Sequence, residues 1–318
     1  MGKRTTYCEV EFLKKFSERY IPLTSPFEEE ILRKNQCWLG LFHFMQEKTK
    51  LLIDNASLFN ALAQENDFCR RIKKLWANGS LEISEQKIDL SSCMTDTMCS
   101  YVFLCDDCPM AVKIAKDYGV FVITPSSYDQ CVELYKVDGK AIHKGEVLDW
   151  TFLKKKKEKF NTMVITDKYI LQERQNNLYV LFDVLLPKCL KMPMHISLFT
   201  LDSPTFEEDF KTINAYIKSI RPQLHYNFTL HKAADDDFHD RAIITNYMRI
   251  KCGAGFDLVK NHKGVKVART TTEIEIDYPY FSDTELSVQS YENILQDAKR
   301  MYNTNLCYGI KNNRLLVD

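Results

Sequence analysis

Glycine and proline are scarce, 10 and 9 in 318 residues, which excludes collagen-like, linker-rich and disordered chains. Neither charge sign is in surplus, since 43 Lys+Arg face 43 Asp+Glu. A protein that holds polyanions by bulk attraction usually carries a basic excess, so any phosphate site here must be local. No run of 18 uncharged apolar residues occurs, so no transmembrane segment is expected. The opening MGKRTTYCEVEFLKKF lacks the apolar core of a secretion signal. Its 11 cysteines therefore read as reduced thiols, and a cytoplasmic location is expected. Also missing are G-x-x-x-x-G-K-[ST], H-E-x-x-H, G-x-S-x-G and a dinucleotide fingerprint. Their absence argues against P-loop NTPases, zincins, serine hydrolases and dehydrogenases.

What is present is an ordinary globular composition, 45% hydrophobic and 27% charged, of a length that suits two domains. The run Lys154-Lys155-Lys156-Lys157-Glu158-Lys159 marks the boundary, giving domains of residues 1–150 and 151–318. Such a block is a solvated face or, alternatively, a phosphate-tracking patch. The first half alternates strand and helix signals. A short apolar run at 49–54 precedes one amphipathic helix over 57–77, and a second run at 101–105 precedes a helix opened by Pro109. Gly119 ends that helix and 120–124 resumes as a strand. Strand–helix–strand units build parallel sheets, so the class is α/β. Tyr7 to Phe12 alternates as an edge strand, with Glu9 and Glu11 on one face. In the second half, 163–171 and 178–186 read as strands paired around Gln175-Asn176-Asn177. A strand at 196–200, a helix at 205–220 and an extended stretch at 224–230 follow. Two strands then straddle Asn246, and a long strand over 265–276 leads to a helix over 283–302.

Asp54 and the pair Asp106/Asp107 each follow an apolar strand, and in a parallel sheet such ends share one edge where ligands bind. Carboxylates gathered there repel one another unless Mg²⁺ or Mn²⁺ neutralises them, and such a metal activates water for phosphodiester cleavage. The alternative is that they serve as helix caps. The stretches LLIDNASLFNAL at 51–62 and FLCDDCPMAVKIAKDYGVFVIT at 103–124 resemble the opening and closing segments of PIN-domain nucleases. The resemblance implies a divalent metal for RNA cleavage held by Asp54 together with Asp106 or Asp107, with Asp96 as a candidate third ligand. Glu82, Glu85 and Asp89 are poor counterparts of the family's middle-helix acid, so an inactive PIN-like domain is the other branch.

The most specific string is Phe238-His239-Asp240-Arg241-Ala242-Ile243-Ile244-Thr245-Asn246, followed by Gly253-Ala254-Gly255-Phe256-Asp257. An imidazole and a guanidinium two apart on a strand project from the same face. The first can attack phosphorus and the second can hold its oxygens bidentately. The bland alternative is structural bonding of His239 and Arg241 to Asp235, Asp236, Asp237 or Asp240. The segment resembles the phospholipase-D-like fold and its His-x-Lys-x4-Asp signature. It is most similar to the C-terminal phospholipase-D-like domain of proteins carrying a microtubule-interacting-and-trafficking domain, across roughly 160–262. That resemblance implies an α+β second domain, His239 at the nucleophile position, Arg241 at the phosphate-binding position and Asn246 where the signature has Asp. Active members need two such motifs, and a homodimer would supply the second His239. Relatives of this type use the domain to bind membranes or partners. Cys93, Cys99, Cys105 and Cys108 offer a weaker zinc reading.

The expectation is therefore a phosphodiesterase or nuclease acting on nucleic acid, of a kind suited to prokaryotic defence or toxin action. The alternative is a non-catalytic module with degenerate PIN-like and phospholipase-D-like domains that binds a protein, a nucleic acid or a lipid headgroup.

Overall fold

The computed structural model describes residues 4–19, 37–86, 90–91, 94, 99–107, 109–128, 138–156, 160–234, 240–279 and 285–317. The chain divides into two compact units, Met1–Lys136 with Tyr280–Glu285, and Val137–Pro279 with Leu286–Asp318.

The first unit is built on β1 (Arg4–Cys8), β2 (Thr49–Ile53), β3 (Ile83–Glu85), β4 (Tyr101–Phe103) and β5 (Phe121–Ile123). All pairings are parallel, in the order β3-β2-β1-β4-β5. Parallel strands need crossovers, which here include α1 (Val10–Arg19), α2 (Ala56–Glu65), α3 (Asp67–Ala77) and α4 (Pro109–Tyr118). Strand β1 lies at the centre of the sheet, not at its edge. Thr6 and Cys8 are fully buried, and Glu9 ends the strand where helix α1 begins. The helix expected over 57–77 is two helices. Asn66 closes α2 with its backbone N–H and caps α3 by accepting the Cys69 N–H at 3.0 Å. Phe12, Phe16, Phe68, Phe103 and Tyr128 form an aromatic core beneath α1.

The second unit holds β6 (Asp138–Ile142), β7 (Thr162–Thr166), β8 (Met194–Leu201), β9 (Tyr226–Ala233), β10 (Ala242–Thr245), β11 (Arg249–Cys252), β14 (Thr272–Asp277) and β15 (Cys307–Tyr308). They make one mixed sheet, β15-β9-β8-β7-β10-β11-β14-β6. Strands β7, β8 and β9 are parallel, joined through α5 (Leu178–Leu185) and α6 (Phe206–Ile220). The run expected as a strand at 178–186 is thus helix α5. Six of its eight residues are buried and only Asp183 is charged, and the crossover between parallel strands is usually a helix. The long strand expected over 265–276 breaks at 269–271. Its first part, β13 (Val265–Ala268), turns back on β12 (Val259–His262) as a separate two-stranded ribbon. Strand β6, on the N-terminal side of residue 150, pairs with β14. The closing helix α7 (Glu285–Thr304) is tied to the sheet by the Tyr291 hydroxyl, which donates to the Thr245 carbonyl at 2.7 Å.

Candidate functional site

Register places the acids of the first unit along one sheet edge. Cys8 lies opposite both Ile53 and Phe103, so Glu9, Asp54 and the 104–107 loop follow their strands side by side. Each is already engaged. Asp54 accepts the Val10 N–H at 2.8 Å, at the N-terminus of α1. Glu85, the last residue of β3, does the same for Ala56 at the start of α2. Glu9 accepts the Cys105 N–H at 2.6 Å. Lys15 pairs with Asp106 and holds its carboxyl below the usual range, and Asp107 accepts the Thr124 hydroxyl. Among the described residues no three His, Cys, Asp or Glu side chains gather as a cation site. Asp54 and Glu85 accept N–H groups at helix starts, and Glu9 bridges two strands. Asp96, Cys93 and Cys108 lie outside the described residues.

In the second unit the chemistry converges at the carboxyl end of β7. Strand β10 runs antiparallel beside β7, with Ala242 opposite Thr166, so Arg241 enters β10 where Asp167 leaves β7. Arg241 is half-buried. Its Nη1 donates to the Ala254 carbonyl, and its guanidinium lies 5.6 Å from the ring centre of Tyr169, which is 40% exposed. Its Nε and Nη2 have no hydrogen-bond partner among the described residues. Asp240 turns to Lys251 at 2.9 Å, not to Arg241. His239 and the acids Asp235, Asp236 and Asp237 lie outside the described residues.

The glycine turn closes the site. Gly255 has φ +86°, and a Cβ there would meet Asp167 Oδ2 at 2.6 Å and Arg241 Cδ at 2.8 Å. Asp167 is buried. It accepts backbone N–H groups from Tyr169 and Phe256, and burial raises its carboxyl against those bonds and the charge of Arg241. Asp257 is pushed up to about 6 by burial, with Arg269 opposing and Asp167 and Glu173 adding to the rise. Asn177, also buried, fixes this corner through its amide. It accepts from Trp150 Nε1 at 3.1 Å and the Val259 N–H at 2.9 Å, and donates to Asp257 at 3.0 Å.

Asn246 does not join Arg241. The four residues of β10 lie between them, roughly 16 Å at strand spacing. At the far end Asn246 accepts the Asn161 N–H at 3.2 Å and is 3% exposed. Asp167, Tyr169 and Asn177 are the residues the sequence reading missed. A signal for the first existed, because TMVITD ends an apolar strand with an acid as LLID and FLCDD do.

Residues 148–275 match the family model described as the phospholipase D-like domain at the C-terminus of MIT. This stretch is similar to a phospholipase D-like domain. It begins just before Trp150 and ends within β14, so it spans Asp167, Arg241 and the glycine turn. No curated protein matches the chain. The match does not reach the first unit, and no comparison supports a PIN-like assignment there. Among the described residues no helix is long and apolar enough to cross a membrane.

Proposed function

We propose that the phospholipase D-like unit engages phosphodiesters through Arg241 and is a phosphodiesterase acting on nucleic acid. One observation carries this reading: just before β10 and inside the matched segment, a guanidinium with two nitrogens that have no hydrogen-bond partner among the described residues stands beside an exposed tyrosine. A planar fork of N–H donors matches two phosphate oxygens, and an exposed aromatic ring offers a base a stacking surface. In this reading the His239 imidazole attacks phosphorus while a second imidazole gives its proton to the leaving ester oxygen, and that imidazole then takes a proton from the water that cleaves the N–P bond. The single HDR string means that the second imidazole comes from a second copy. The first unit serves as a PIN-like scaffold whose acids cap its own helices.

Labelled single-stranded RNA and DNA, incubated with the protein in EDTA or in Mn²⁺, test this. Cleavage is expected in EDTA and is lost in His239→Ala. Cleavage that requires Mn²⁺ and disappears in Asp54→Ala would move the chemistry to the first unit and overturn the reading.

One observation favours the rival, a non-catalytic binding module. Cross-strand pairing puts Lys260, His262, Val265 and Val267 on one face of the β12–β13 ribbon, and Val147 joins it by bridging Val267. Val265 is 47% and Val147 72% exposed. Aliphatic side chains beside a lysine suit an anionic lipid surface. Sedimentation with anionic liposomes that is lost in Val147→Asp, without cleavage in either buffer, would establish that module.

A further inference from the structure

The signature that Arg241 belongs to supplies its acid from the same strand, and here that position holds Asn246 at the far end of β10. The acid that does stand at the site comes from β7. Asp167 is 1% exposed, and its N–H donates to the Phe199 carbonyl at 3.1 Å, so the backbone of the parallel core holds it rigidly. Its two carboxylate oxygens are divided between two duties. Oδ1 accepts the Tyr169 N–H at 2.8 Å, which places the ring that faces Arg241. Oδ2 accepts the Phe256 N–H, which pins the turn whose Ala254 carbonyl takes the Arg241 Nη1. Carboxylate and guanidinium approach the same point from two sides, within 3.0 Å of where a Cβ on Gly255 would be.

We propose that Asp167 is the positioning residue of the phosphodiester site: it holds Tyr169 and the 253–256 turn so that Nε and Nη2 of Arg241 point outward to the ligand. The proposal rests on the reading of Arg241 above and adds a residue from another strand to it. It makes a prediction opposite in sign to simple electrostatics. Removing a carboxylate beside a guanidinium leaves the site more positive, so an acid acting only through its charge would, when neutralised, tighten anion binding. A positioning acid does the reverse. Its amide counterpart offers one acceptor oxygen where two N–H groups need acceptors, so the tyrosine or the turn is released.

The test uses the full chain with ¹⁵N-labelled arginine and backbone. Inorganic sulfate is titrated in, and the Arg241 Nε–H resonance, assigned by its loss in Arg241→Lys, reports binding. Sulfate should shift the Arg241 Nε–H and the Phe256 amide along one binding curve. Asp167→Asn should weaken sulfate about tenfold, whereas Asp240→Asn, which removes a charge nearby without touching the turn, should leave it equal or tighter. Equal or tighter sulfate binding in Asp167→Asn, with Arg241 still shifting, would overturn the positioning role and leave the Arg241 site intact. The co-titration in the unmodified protein needs no variant to fold, and an unmoved Phe256 amide would also overturn the role. If Arg241 itself does not respond to sulfate, the reading beneath the proposal fails with it.

Discussion

Gly255 shows how tightly one residue can be specified. Its positive φ alone disfavours a side chain, and the space that a Cβ would take is already occupied by Asp167 and Arg241. Gly255→Ala should cost about 1–3 kcal/mol in urea unfolding. It should also weaken phosphodiester binding, because the displaced group is Arg241. A variant that binds oligonucleotide like the parent would contradict the geometry. Titration at this scale has a definite sign. Asp257 is pushed above its ordinary 3.8, to about 6, so the folded state holds its proton more tightly than the unfolded state. Its favourable contribution is complete below about 4 and is lost as the pH rises through 6. The melting temperature of Asp257→Asn, measured against the parent, should therefore rise steadily between pH 4 and pH 7. The buried His231 goes the other way. Burial, then Lys311, pulls it down to about 3, and its Nδ1 has no hydrogen-bond partner among the described residues. Its contribution is present above about 6.5 and lost as the pH falls toward 3. His231→Phe should keep the stack on Phe199 and soften acid unfolding over that window.

At the scale of elements, the sequence was most legible where one local rule governed. Pro109 opens α4, Gly119 at φ +62° ends it and β5 follows, as punctuation alone predicts. Helix α6 and the two strands around Asn246 are where the pattern places them. The misreadings share a cause: tertiary context overrode period. A nearly all-apolar octapeptide carries no periodicity, so only the parallel pairing of β7 with β8 makes α5 a helix. Asn66 breaks a continuous 3.6-residue pattern because its amide caps the next helix. The pairing of Arg249 with Asp277 was invisible because the partners lie on β11 and β14. Nε to Oδ1 is 3.0 Å and Nη2 to Oδ2 is 2.7 Å, both side chains are buried, and Ser287 of α7 donates to the same carboxylate. Removing one partner strands a buried charge, so Asp277→Ala should lose about 3–5 kcal/mol by chemical denaturation. A loss below 1 kcal/mol would mean that the pair is hydrated in solution.

On the scale of the whole molecule, the sequence indicated two sheets, one of them parallel, and a phospholipase D-like segment in the second half, and the residues at 148–275 match such a domain. The proposed site was only half legible. Arg241 was readable from its string, whereas Asp167 reaches it across 74 residues of chain through the β7–β10 pairing. The acids of the first unit followed the strand-end rule, and Asp54 accepts the Val10 N–H at the start of α1. Asp54→Ala should accordingly cost about 1 kcal/mol of stability through α1. Mn²⁺ should leave the melting temperature of the parent and of this variant unchanged, and a Mn²⁺-dependent rise confined to the parent would restore the metal reading. The central claim is that Arg241 grips a phosphodiester, and fluorescence anisotropy of a labelled single-stranded oligonucleotide, repeated over a range of salt concentrations, tests it most directly. Arg241→Ala should weaken binding and reduce the slope of log affinity against log salt by about 0.7, the share of one phosphate contact on a single strand. Unchanged affinity and slope in that variant would contradict it.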